Sequence, residues 1–114
     1  MLTIYHNPRC SKSRETLRLI NDNTSDVEIV DYLVNVPTED ELKILLDKLG
    51  KKASEIIRKS EAIFKEEFKG KDLTEEEWVK AMVQYPKLIE RPIVVKGDKA
   101  VLGRPPENVL QLMN

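Results

Sequence analysis

Apolar and polar positions change their period several times along this chain, and each change marks an element. Leu2-Thr3-Ile4-Tyr5 reads as a short strand, and the Asn7-Pro8 pair turns the chain. A helix over about Ser11 to Asn21 follows, with Leu17 and Ile20 one helical turn apart. Val27-Glu28-Ile29-Val30 supplies a second strand, spaced for a parallel crossover. Thr38 and Glu41 form a capping box that starts a helix carrying Leu42, Leu45, Leu46 and Leu49, and Gly50 stops it. A short helix is expected from Ala53 to about Lys59 and another over Glu61 to Phe68. Thr74 and Glu77 make a second capping box, leading into Trp78, Ala81 and Met82 before Pro86 ends the run. Trp78 is expected in the core.

The last third returns to strands. Ile93-Val94-Val95 and Ala100-Val101-Leu102 flank Lys96-Gly97-Asp98-Lys99, a hairpin whose Gly-Asp turn belongs to the primed class. Pro105 and Pro106 then open a final helix through Met113. The order is β-α-β, a helical block, then β-β-α. It predicts an α/β protein of thioredoxin-like fold with a mixed sheet and helices inserted in its middle. At 114 residues with 40% hydrophobic content the chain can bury one core, so residues 1–114 are expected to form a single domain.

Charge narrows the partners. Nineteen Lys+Arg against twenty Asp+Glu leave a formal charge of -1, which provides no global field for nucleic acid or an anionic membrane. Any anion site must be local. The charge-rich stretch Lys65 to Glu77 carries both signs and reads as a solvated linker and helix face. One cysteine cannot form an internal disulfide, and one histidine with one cysteine cannot build a four-ligand zinc site of the usual kind within one chain. With no apolar run of signal-peptide or membrane-span length, the protein is expected in the reducing cytoplasm.

The chemistry concentrates around that cysteine. Cys10 opens a helix at a strand-to-helix junction, where first-turn N–H groups and the helix dipole stabilise an anion. Arg9, Lys12 and Arg14 add positive charge, which is poor company for a buried apolar thiol. His6 either closes the strand end by a hydrogen bond or titrates beside the sulfur. Ser11 and Ser13 are either plain helix-start hydroxyls or donors to the sulfur and its ligand. Arg58, Arg91 and Arg104 stand apart from ordinary surface charges because each falls at an element end or beside a Gly/Pro break. Three guanidinium forks around a thiolate would hold a tetrahedral oxyanion through paired hydrogen bonds. A phosphatase loop of the low-molecular-weight type needs an arginine six residues past the cysteine, where this chain has Thr16. A dithiol redox site needs Cys-x-x-Cys, and Ser13 occupies the second position.

Tyr5-His6-Asn7-Pro8-Arg9-Cys10, Ile57-Arg58-Lys59-Ser60-Glu61, Glu90-Arg91-Pro92-Ile93-Val94-Val95 and Gly103-Arg104-Pro105 together resemble the glutaredoxin-dependent arsenate reductase family, nearly end to end. The resemblance implies a catalytic thiolate at Cys10 assisted by His6 and Ser13, with arsenate held by Arg58, Arg91 and Arg104. It also implies a cis peptide bond at Pro92, glutathione as co-substrate, glutaredoxin as reductant, no tightly bound cofactor and a monomer. Ser11-Lys12 stands where the best-characterised branch has Gly-Thr, which leaves room for another oxyanion or thiol substrate. Spx-type regulators that dock RNA polymerase resemble the chain in fold, but they carry the Cys-x-x-Cys that Ser13 breaks.

Overall fold

The computed structural model describes residues 1–113. They divide into two compact units, Met1–Asn35 together with the chain from Arg91 onward, and Val36–Glu90.

The first unit is built on a four-stranded mixed sheet in the order β2-β1-β3-β4, with β1 Leu2–His6, β2 Val27–Asp31, β3 Ile93–Lys96 and β4 Lys99–Leu102. β1 pairs parallel with β2, in a register that sets Leu2 against Val27 and His6 against Asp31. It pairs antiparallel with β3, which continues antiparallel to β4. Helix α1, Ser11–Asn23, makes the crossover that a parallel β1–β2 pair requires. Strand alternation buries Leu2, Ile4 and His6 of β1 on one face. The core of this unit gathers Leu2, Ile4, Ile20, Val94, Val109 and Leu112. Gly97 takes φ 61° at the hairpin's first loop position while no non-glycine residue has positive φ, the pattern of a type II′ turn.

The final segment departs from expectation in helix type. Pro106–Leu112 is a 3₁₀ helix, and its buried residues Pro106, Val109 and Leu112 recur at strict intervals of three. That spacing is eclipsed at three residues per turn and drifts by about 120° on an α-helix, so the apolar pattern suits the tighter helix. Both Arg91–Pro92 and Arg104–Pro105 are cis. The first was implied by the family resemblance; the second was not anticipated.

The second unit is helical. Helices α2, Glu39–Leu49, and α3, Glu75–Gln84, start with the two expected capping boxes, and Gly50 ends α2 in the left-handed region at φ 66°. Trp78 is buried, with Phe64 stacked on it at 6.2 Å between ring centroids and Phe68 at 5.8 Å. The short helix expected to reach Lys59 stops as a 3₁₀ turn, Ala53–Ile56. Ile57 bridges to Ile89, Arg58 N–H donates to Leu88 O and Glu90 N–H to Ile56 O, so backbone pairing takes the β-branched Ile57 out of the helix. The helix expected over Glu61 to Phe68 forms over residues 62–68, and its greater part, Phe64–Phe68, is π-helical.

The turn after β4 has no room for a side chain at Gly103. A Cβ there would lie 2.6 Å from Thr16 Oγ1, 2.7 Å from Pro92 Cγ and 2.9 Å from Thr16 Cγ2. Gly103→Ala is therefore expected to cost about 1–3 kcal/mol by overpacking, visible as a lower midpoint in thermal denaturation. The same substitution should cost less in a Thr16→Ala background, where two of the three clashing atoms are gone; an equal cost in both backgrounds would refute the steric account.

Candidate active site

The loop between β1 and α1 is held by a short chain of polar contacts. Asn7 O accepts the Cys10 N–H at 3.0 Å, and Asn7 Oδ1 accepts the Arg9 N–H at 3.0 Å, an Asx turn that fixes the residues just before the cysteine. Arg14 Nη1 donates to Pro8 O at 3.0 Å across the same loop. Ser13 Oγ accepts the Asn7 N–H at 3.0 Å and lies 2.6 Å from His6 Nδ1. His6, Asn7 and Ser13 are all buried. Their mutual satisfaction makes that burial tolerable.

Cys10 occupies the N-cap position of α1 and is 9% exposed. Burial by itself raises the pKa of its thiol. The backbone N–H groups of Ser13 and Lys12 and the guanidinium of Arg91 act the other way, and the net direction is below the ordinary value. Arg104 reaches the same sulfur from the opposite end of the chain, with Nη1 3.8 Å from Sγ. That nitrogen also donates to Arg91 O at 3.1 Å, which ties the two arginine segments together beside the thiol.

The first unit thus gathers five of the six residues singled out from the sequence: His6, Cys10, Ser13, Arg91 and Arg104. Arg58 belongs to the second unit, where Nε lies 3.3 Å from Glu61 and Nη1 3.2 Å from Glu90. Asn7 and Thr16 were missed as positioning groups. Thr16 is buried and donates to Lys12 O at 2.8 Å and to Gly103 O at 3.2 Å. Its place on the buried face of α1, three residues after Ser13 and four before Ile20, was the available signal.

Of the two readings of His6, the hydrogen-bonded one fits this environment. Burial pushes the imidazole pKa down, Arg14 adds to that, and Asp31, its register partner on β2, opposes it. A neutral ring can accept the Ser13 proton at Nδ1. An anionic thiolate beside two guanidinium groups, with a neutral imidazole holding the helix start, can attack an electrophilic centre in a small oxyanion.

Two titrations follow from these directions. The pH midpoint for alkylation of Cys10 by iodoacetamide should lie below the free-thiol value of about 8.5, and Arg91→Ala should raise it. A midpoint at or above that value would remove the case for a resting thiolate. For His6 the folded pKa lies below the unfolded 6.5, so its contribution to stability is complete above pH 6.5 and is lost as pH falls below it. His6 is the only histidine, so thermal stability should decline more steeply with acidification from pH 7 in the wild type than in His6→Gln. Parallel slopes would show that the imidazole is not depressed.

Comparison with known proteins matches residues 5–112 to the ArsC family. The arsenate reductase of Haemophilus influenzae is 42% identical over 112 residues, covering 96% of this chain and 97% of that protein. The arsenate reductase of Escherichia coli K12 is 38% identical over 113 residues, covering 98% of this chain and 80% of that protein. The solved structure of arsenate reductase from Vibrio cholerae superposes with a TM-score of 0.91 at 44% identity, covering 96% of this chain and 95% of that one. With a thioredoxin-like α/β fold built on the expected mixed sheet and a family match over nearly its whole length, the chain belongs to the ArsC family.

Proposed function

We propose that this protein is an arsenate reductase that works through a thiol-arsenate intermediate on Cys10, with glutathione and glutaredoxin as reductants. The observation that carries this reading is the convergence of Arg91 and Arg104 on the Cys10 sulfur at the α1 N-terminus. Arsenate is anionic at neutral pH, and its approach to a thiolate is repulsive until cations offset it. The paired N–H donors of a guanidinium match the oxygens of a tetrahedral anion. The sulfur then bonds to arsenic, and one arsenate oxygen leaves as water.

This chain holds a single cysteine, so the electrons for As(V) to As(III) must come from outside thiols. A glutathione thiol replaces a second oxygen on arsenic, again with loss of water. A glutaredoxin thiolate attacks the glutathione sulfur, forming a mixed disulfide, and the sulfur–arsenic bonding pair passes to arsenic. The As(III) left on Cys10 is hydrolysed to arsenite, and the thiol is restored. The arsenate reductase names of the relatives support the reaction, and the resemblance alone supports these co-substrates. The lone cysteine and the apolar pattern carry the further expectation of a cytoplasmic location, and the family resemblance that of a monomer that needs no tightly bound cofactor.

The test is direct. Purified protein with glutathione, glutaredoxin and arsenate should form arsenite well above a Cys10→Ser control, and Arg91→Ala or Arg104→Ala should lower the rate by about 10²-fold or more. Arg58 enters on the resemblance alone, and Arg58→Ala in the same assay tests it. Arsenate, phosphate or sulfate should also raise the melting temperature by linkage. Absence of arsenite together with an unmoved melting temperature would overturn the reading; absence of arsenite with a clear oxyanion shift would move it to another oxyanion substrate.

A further inference from the structure

Three successive carbonyls in the turn that delivers Arg104 to the sulfur are all taken by side chains. Asn108 Nδ2 donates to Leu102 O at 3.1 Å and to Arg104 O at 3.2 Å, so one amide group uses both of its hydrogens on this turn. The carbonyl between them, Gly103 O, accepts from Thr16 Oγ1 at 3.2 Å, and Gly103 N–H donates to Pro92 O at 2.9 Å. Asn108 is itself anchored: its N–H donates to Pro105 O at 3.0 Å, and its 3₁₀ helix is pinned by buried Pro106, Val109 and Leu112. The Leu102–Arg104 backbone is therefore clamped from two sides, and the Arg104 side chain leaves a fixed point to reach Arg91 O and Cys10 Sγ.

We propose that Asn108 is a positioning residue for oxyanion binding, acting through the orientation of Arg104. The proposal rests on the reading in which Arg104 holds the oxyanion. Thr16, the other side chain that holds this turn, is committed to Lys12 O and Gly103 O and cannot take over the clamp without moving. Without the Asn108 amide, the carbonyls of Leu102 and Arg104 must turn toward water, and the arginine that follows that backbone swings with them.

A double-mutant cycle separates this role from general support of the fold. The probes are phosphate, whose dissociation constant is read from melting-temperature linkage, and arsenate, read as KM and kcat in the coupled assay. Asn108→Ala should weaken phosphate binding by about tenfold, the size of one charge-assisted hydrogen bond, and raise KM for arsenate more than it lowers kcat. The alkylation midpoint of Cys10 should rise no further than it does in Arg104→Ala, because Ser13, Lys12 and Arg91 still stabilise that anion. In an Arg104→Ala background, Asn108→Ala should change phosphate affinity no further. Asn108→Asp, which keeps the size but loses the donors, should behave like Ala and serves if the alanine variant does not fold. Wild-type phosphate affinity in the Asn108 variants, an equal loss in both backgrounds, or an alkylation midpoint that rises beyond that of Arg104→Ala would overturn the proposal while leaving the function intact. If Arg104→Ala itself leaves phosphate affinity unchanged, the functional reading fails and this proposal fails with it.

Discussion

The stability of one anion, the Cys10 thiolate, against its own burial organises this molecule. Removing a thiolate from water is unfavourable, and burial is the largest single influence on this group. It is overcome only because the chain places the sulfur where unpaired N–H groups of a helix start coincide with guanidinium charge. A parallel β1–β2 pair requires a crossover helix, the helix requires a first turn, and the residue that opens the turn is the cysteine. The fold supplies part of the anion's support through the backbone N–H groups of Ser13 and Lys12. The arginines that supply the rest arrive from Arg91 and Arg104, some eighty and ninety residues later, which is why the last strands must return to the sheet beside β1.

The polar groups beneath the sulfur obey the same accounting. His6, Asn7, Ser13 and Thr16 are buried, and each has a partner: Ser13 serves both His6 and Asn7, Asn7 serves Arg9 and Cys10, Thr16 serves Lys12 and Gly103. A buried network is stabilising only when its members are satisfied together. Here it also transmits position, since Thr16 links the second turn of α1 to the residue before Arg104. Replacing either end disturbs the distance between thiol and guanidinium without touching the reacting atoms.

The strands, the two capping boxes and the hairpin were legible in the sequence because each rests on local chemistry: alternation, a Thr with Glu three residues on, a Gly-Asp loop. The 3₁₀ form of the last helix was also encoded, in the three-residue spacing of Pro106, Val109 and Leu112, but a helix read only for caps and apolar content looks the same at either pitch. Ala53–Ile56 ended early for a nonlocal reason, the pairing of Ile57 with Ile89, which no window around residue 57 contains. At the site, the place of Cys10 at the start of α1 was legible from the strand-to-helix junction, whereas the basic neighbours in the chain are not what acts on the sulfur; the Ser13 and Lys12 N–H groups and Arg91 are. Thr16 left only its spacing from Ser13 and Ile20, and the half-buried Asn108 left no mark; their meaning lies in which carbonyls they meet.

A site with one cysteine faces a constraint that a dithiol site does not. In a Cys-x-x-Cys protein the resolving thiol is three residues away and the chemistry can close over; with Ser13 in that place, every later thiol must come from solution. The sulfur therefore has to remain approachable while its anion stays stabilised. Cys10 itself is buried, but Pro8, Arg9, Ser11 and Lys12, which flank it in the chain, are exposed, so the sulfur lies beneath a solvated loop rather than deep in the core. A helix N-terminus suits both demands, because its unpaired N–H groups support an anion at the end of the axis while the preceding residues remain loop. A cysteine buried mid-helix would have neither.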